Sequence, residues 1–140
     1  PAFEAVPTHR LIHGAAVAPN VILGPDGLPR LIDFEWSGPG DTAKDLALIG
    51  GRVTGGPWYL PMPPDDVTAF VAEYARYSQR SRLAQDTGTT DPQRLLERRD
   101  AHELLDRLGN LLYCLSRPGE ACYGRWADEL ARSLTIRLGG

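Results

Sequence analysis

The chain has 140 residues, a formal net charge of −3 and 42% hydrophobic residues, and of its fifteen basic side chains only Lys44 is a lysine. That length supports one domain, residues 1–140, which can bury about two-thirds of its unfolded surface without disulfides or metal. The acidic balance argues against a nucleic-acid binder working through bulk charge, and a single lysine excludes polybasic membrane anchoring and Schiff-base chemistry away from Lys44.

The first 64 residues hold most of the glycine and proline and predict short strands joined by turns, whereas residues 65–138 predict helices. Leu11-Ile12 opens a short apolar stretch ending at Gly14. Residues 21–23, the turn Gly24-Pro25-Asp26-Gly27 and residues 28–34 read as a β-hairpin whose register the turn fixes. Residues 37–41 are expected to be irregular, and residues 45–49 to form a short helix stopped by Gly50-Gly51. A second loop, residues 55–64, carries Trp58, Tyr59 and Met62. Asp65 and Asp66 open a helix with Val67, Phe70, Val71, Tyr74 and Tyr77 on one face. Residues 80–90 are polar and expected to be mobile. Asp91-Pro92 then starts a helix running to about Ser116, with Ala101, Leu105, Leu108, Leu112 and Leu115 as its core stripe. A last amphipathic helix passes through Trp126, Leu130 and Leu134. The fold class is therefore α+β, mainly α, with one hairpin and about four helices.

Charge is uneven: residues 1–70 carry net −4 and residues 71–140 net +1, which makes the first half the better place for a metal. There, a loop ending in Asn20, a strand, a turn and a strand ending in Asp33 would bring an amide oxygen and a carboxylate to one end of a hairpin. Two hard oxygen ligands so placed suit Mg²⁺, which takes its remaining ligands from water and phosphates. The same pair also admits a structural reading, in which Asp33 caps the following loop and Asn20 bonds loop backbone. Cys114 and Cys122 lack zinc-type spacing and read as thiols of a reducing compartment; with no apolar run of about 18 residues, the expectation is a cytoplasmic protein off the membrane.

The segment His13-Gly14-Ala15 with Asn20, then Ile32-Asp33-Phe34-Glu35, then Gly40-Asp41-Thr42-Ala43-Lys44-Asp45-Leu46-Ala47, resembles the C-terminal lobe of the aminoglycoside phosphotransferase and choline kinase-like family. The likeness is specific over residues 10–50 and general, as helices of suitable order, over 65–138. It implies a kinase-like C-lobe in which Asn20 and Asp33 hold metal and Asp41 and Asp45 brace the loop. It also implies an Asp catalytic base where this chain has Ala15, whose methyl can neither accept a proton nor orient a hydroxyl. The family's nucleotide-binding lobe, with its phosphate-pairing lysine, is expected to be absent, and Lys44 lies after the metal-binding strand and cannot replace that lysine. As given, the chain would need no cofactor; Mg and ATP or GTP would enter only with a nucleotide lobe supplied.

The expectation is thus a pseudokinase-like accessory module that binds a partner, peptide or small molecule without phosphorylating it, with a role in peptide natural-product modification as one repurposing. The alternative is a fragment or active-site variant of a small-molecule O-phosphotransferase. His13 is expected to hold the loop, or to serve as acid or base with Asp33 if new chemistry arose. Trp36, Trp58, Tyr59 and Met62 could line a groove for a peptide or small organic substrate, or plug the hairpin against the helices. Apolar Phe3, Val6, Val17, Ile22, Phe34 and Trp36 would form a surface for a protein partner or a second copy.

Overall fold

The computed structural model describes residues 10–80 and 91–139, and over them the chain is α+β and mainly helical. Residues 81–90, Phe3 and Val6, about which the sequence raised expectations, lie outside the described residues. In chain order the elements are β1 (Arg10–Ile12), β2 (Val21–Leu23), β3 (Pro29–Leu31), β4 (Gly38–Gly40), α1 (Thr42–Ile49), β5 (Gly50–Gly51), β6 (Leu60–Pro61), α2 (Pro64–Arg80), α3 (Pro92–Leu115) and α4 (Ala121–Gly139). Single 3-10 turns cover Ala18–Asn20 and Phe34–Trp36.

β2 and β3 form the expected antiparallel hairpin, with Val21 opposite Leu31 and Leu23 opposite Pro29. Its turn is closed by Gly24 N–H donating to the Leu28 carbonyl at 2.9 Å, and Gly27 takes the left-handed φ of +74° that an L side chain resists. The second strand is shorter than residues 28–34, because Asp33 adopts a φ of 66° and turns the chain into Phe34–Trp36. Residues 38–40, expected to be irregular, instead pair antiparallel with β1, Ile12 facing Gly38 and Arg10 facing Gly40. Both strands of such a pair are edges, so Pro39 removes no needed donor. Gly40 is required because a Cβ there would overlap the Ile12 side chain.

Helix α1 starts earlier than residue 45, since the Asp41 carboxylate accepts the Ala43 N–H at 3.0 Å and caps it. The Gly50-Gly51 pair does not stop it by a left-handed turn: Gly50 is fully extended, and the pair forms β5, parallel to β6. Glycine is needed at 51 because the Arg99 and Glu103 side chains occupy the space of any Cβ. Helix α2 buries Val67, Val71 and Ala75 with Phe70 and Tyr74 beside them, while Tyr77 is exposed.

Helix α3, capped by Asp91 with Pro92 in its first turn, corrects the expected core stripe. Leu105, Leu108, Leu112 and Leu115 are 59%, 43%, 68% and 59% exposed; the buried face is Leu95, Arg98, Arg99, Glu103, Arg107 and Cys114. The reason lies in what α1 presents to α3. Helix ends leave carbonyls without intrahelical partners, and here Arg107 donates to the Ala47 carbonyl at 2.9 Å and Arg99 to the Gly50 carbonyl. Glu103 accepts from Arg99 at 2.6 Å and from Val53 N–H at 3.0 Å, and Arg107 also donates to the Val53 carbonyl at 3.1 Å. Leucines cannot supply those donors, so the charged face turns inward. It lies between two apolar clusters, one of Ala43, Leu46, Val71, Ala75 and Leu95, the other of Tyr59, Cys114, Ala127 and Leu130.

This register predicts opposite outcomes for two neighbouring substitutions. Glu103→Gln, which removes the buried charge that Arg99 and the Val53 N–H share, should cost about 3 kcal/mol, whereas Leu105→Ser on the exposed stripe should cost under about 0.5 kcal/mol. Urea denaturation of both variants checks this, and equal losses would contradict the register.

Candidate functional site

The loop following β1 is closed on itself by short-range bonds and held from outside by α1. The Asp45 carboxylate accepts His13 N–H at 2.7 Å and Gly14 N–H at 2.9 Å. Gly14 has a φ of +80°, and a Cβ there would collide with the Trp36 carbonyl, so only glycine lets the loop pass. His13 is buried and uses both ring nitrogens: Nε2–H donates to the Ile32 carbonyl at 2.9 Å, and Nδ1 accepts Ala15 N–H at 3.3 Å. The Phe34 ring lies 4.4 Å from its centroid. Such a ring ties the loop to the hairpin. Asn20 Nδ2 donates back to the Ala15 carbonyl at 2.9 Å, and Ala18 N–H to the Trp58 carbonyl at 2.7 Å.

Asn20 and Asp33 do come to one end of the hairpin. Ile32 N–H donates to the Asn20 carbonyl at 2.9 Å, which extends the β2–β3 ladder by one step and leaves Asp33 next along the chain. Asp33 is exposed, accepts no hydrogen bond from a described residue, and is the one described non-glycine residue with a positive φ. It does not cap the 3-10 turn that follows. Among the described residues, no three or more His, Cys, Asp or Glu side chains cluster as a metal site would require; an Asn20 and Asp33 pair would rely on water or phosphate for its other ligands.

Asp41 and Asp45 act on different partners. Asp45 holds the loop backbone, whereas Asp41 is tied into α3: its Oδ2 accepts from Arg98 Nε at 3.0 Å and lies 3.4 Å from His102 Nε2. Burial works against its ionisation, but His102, the Ala43 N–H and Arg98 together outweigh burial and hold the carboxyl below the usual aspartate range.

Ala15 opens onto a cavity of about 700 Å³ lined also by Val17, Trp36, Trp58, Asp106, Gly109, Asn110, Tyr113 and Tyr123. The four residues Trp36, Trp58, Tyr59 and Met62 are not one groove. Trp36 and Trp58 line this cavity. Tyr59 is buried behind it, where its hydroxyl donates to Asp106 at 2.6 Å and Arg107 stacks 3.3 Å from its ring centroid. Burial, then the Asp106 carboxylate, push the Tyr59 phenol above its ordinary pKa. Met62 belongs to a second cavity with Arg52 and Arg137. The loop sequence around Gly55 to Pro64 carries no periodicity that could have separated them.

Four lining residues are additions that the sequence reading missed: Asp106, Asn110, Tyr113 and Tyr123. The first three follow i, i+4, i+7 spacing on α3, the signal of a common face, but they stand beside the longer leucine stripe that drew the assignment. Trp58, Trp126, Tyr123 and Tyr113 form a chain of edge-on rings with centroids 5.1 to 5.7 Å apart, which makes one wall rigid. Arg117 covers the Tyr113 face at 3.8 Å. The cavity is therefore an aromatic box with one carboxylate and one amide at its edge, suited to a small organic group carrying a donor.

No family model, curated protein or solved structure matches the chain. No helix among the described residues is long and apolar enough to cross a membrane.

A pH titration tests the Asp41 assignment. A carboxyl with a lowered folded pKa contributes stability that is fully present above its unfolded pKa and is lost as pH falls through the folded value. Asp41→Asn should thus lower stability by about 3 kcal/mol at pH 7, and its deficit against the parent protein should shrink below about pH 4. A deficit that stays constant in thermal melts down to pH 2 would contradict it.

Proposed function

We propose that this chain is a catalytically degenerate, phosphotransferase-like binding module. It holds a small organic molecule or a peptide side chain against its hairpin end and does not phosphorylate it. The observation that carries the reading is Ala15 at the rim of the aromatic cavity, on a loop that Asp45, His13 and Asn20 hold in a fixed shape. In the aminoglycoside phosphotransferase and choline kinase-like loop that the sequence resembles, an Asp at this position would orient and deprotonate a hydroxyl. A methyl there leaves the site able to bind and unable to take the proton.

Two further features support the reading. The left-handed Asp33, beside Asn20 at the hairpin end, keeps a conformation that costs of order 1 kcal/mol, as a residue placed for a ligand would. The exposed Ile22, Phe34 and Trp36 of the hairpin region and Leu105, Leu112 and Leu115 of α3 leave apolar surface of the kind that a protein partner or a second copy covers. Mg²⁺ with ATP or GTP would act here only with a nucleotide-binding unit supplied, Asn20 and Asp33 being the residues that would hold the metal.

Incubation with Mg²⁺, ATP or GTP and a panel of amino alcohols, aminoglycosides and serine peptides tests the reading, with phosphorus NMR following transfer and fluorescence of Trp36 and Trp58 following binding. The expected result is tryptophan quenching by a panel member and no transfer. Measurable transfer by the chain as it stands would overturn it and favour the small-molecule O-phosphotransferase reading.

A further inference from the structure

The second cavity, about 710 Å³, shares no lining residue with the aromatic cavity. Its polar members are Arg52, Arg137, Thr54 and Ser133, and its apolar wall is built by Pro61, Met62, Pro63 and Ile136. The two arginines come from distant parts of the chain, the loop after β5 and the last turn of α4, and converge on one carboxylate. Asp100 Oδ2 takes Arg52 Nη2 at 2.5 Å and Arg137 Nη2 at 3.4 Å, while its Oδ1 takes Arg99 Nη1 at 2.8 Å. Arg99 is in turn shared with Glu103.

Three guanidinium groups therefore meet two carboxylates, and a positive charge is left over at the cavity. The donor count gives the same answer. Arg52 and Arg137 each reach Asp100 through Nη2 alone, so among the described residues each Nη1 is left without an acceptor. Ser133 Oγ accepts Thr54 N–H at 3.0 Å, which orients the hydroxyl and leaves its hydrogen to donate. Glu129, on the adjoining depression, does not answer this charge: it accepts Gly56 N–H and lies 4.0 Å from Arg125. A guanidinium group matches a carboxylate, whose two oxygens accept its parallel N–H donors. The proline, methionine and isoleucine wall beside them matches a hydrocarbon body.

We infer that this cavity binds a small organic carboxylate with an aliphatic body, its head on Arg52 and Arg137 and its tail along Met62 and Ile136. Octanoate is the probe, with 1-octanol as the chain without the charge and inorganic phosphate as an anion without the chain, each titrated into isotopically labelled protein and followed by amide chemical shifts. Octanoate should shift the amides of Arg52, Thr54, Ser133 and Arg137, and bind at least about tenfold more tightly than octanol or phosphate, the size of one charge-assisted hydrogen bond. Arg52→Gln and Arg137→Gln should each weaken octanoate by about tenfold. Ile136 lines the cavity and is 75% exposed, so Ile136→Trp narrows the tail's path at little cost to the fold and should weaken octanoate binding even if an arginine variant fails to fold. Octanol or phosphate binding as tightly as octanoate, or octanoate binding unmoved by Ile136→Trp, would overturn the inference.

Discussion

The Arg107 guanidinium is fully buried, and the rest of the structure is arranged to receive it. Nε donates to the Val53 carbonyl, Nη2 to the Ala47 carbonyl and Nη1 to Asp106, while its face lies 3.3 Å from the Tyr59 ring centroid. A buried charge lacking such partners costs several kcal/mol. The end of α1, the strand-like segment after it, the 55–60 loop and α3 must therefore all be in place together.

That constraint runs to the site in two directions. Toward the hairpin, fixing α1 fixes Asp45, whose carboxylate takes the His13 and Gly14 amides, so the loop that carries Ala15 has one position. Toward α4, Arg107 and Tyr59 hold the Asp106 carboxylate, the polar edge of the aromatic cavity, while Trp58 is wedged between Trp126 and the loop by the bond from Ala18 to its carbonyl. The polar edge of the cavity is thus held by the buried charges in α3.

What could be read in the sequence was local chemistry. The Gly24 to Gly27 turn gave the hairpin its register, Asp91-Pro92 the start of α3, and the spacing of Val67, Val71 and their neighbours the inner face of α2. The inner face of α3 was illegible for a physical reason. Two sets of residues share helical spacing there, five leucine and alanine positions from 101 to 115 and the series Leu95, Arg99, Glu103, Arg107 and Cys114. Hydrophobicity ranks the first set as core. Only the acceptors on α1 and residues 50–53, remote in sequence, turn the second set inward. The candidate site was legible only in part. His13, Gly14, Asn20, Asp33 and Asp45 stood in one motif, whereas Asp106, Asn110, Tyr113 and Tyr123 reach the cavity through tertiary packing.

The linkage from α3 to the loop can be read directly by amide hydrogen exchange in Arg107→Leu. Protection at His13, Gly14 and Val53 should fall by about tenfold or more relative to Val71 and Ala75 of α2, since local opening free energies follow the contacts that close each segment. Loop amides that keep pace with those of α2 would contradict the claim that the buried arginine holds the site.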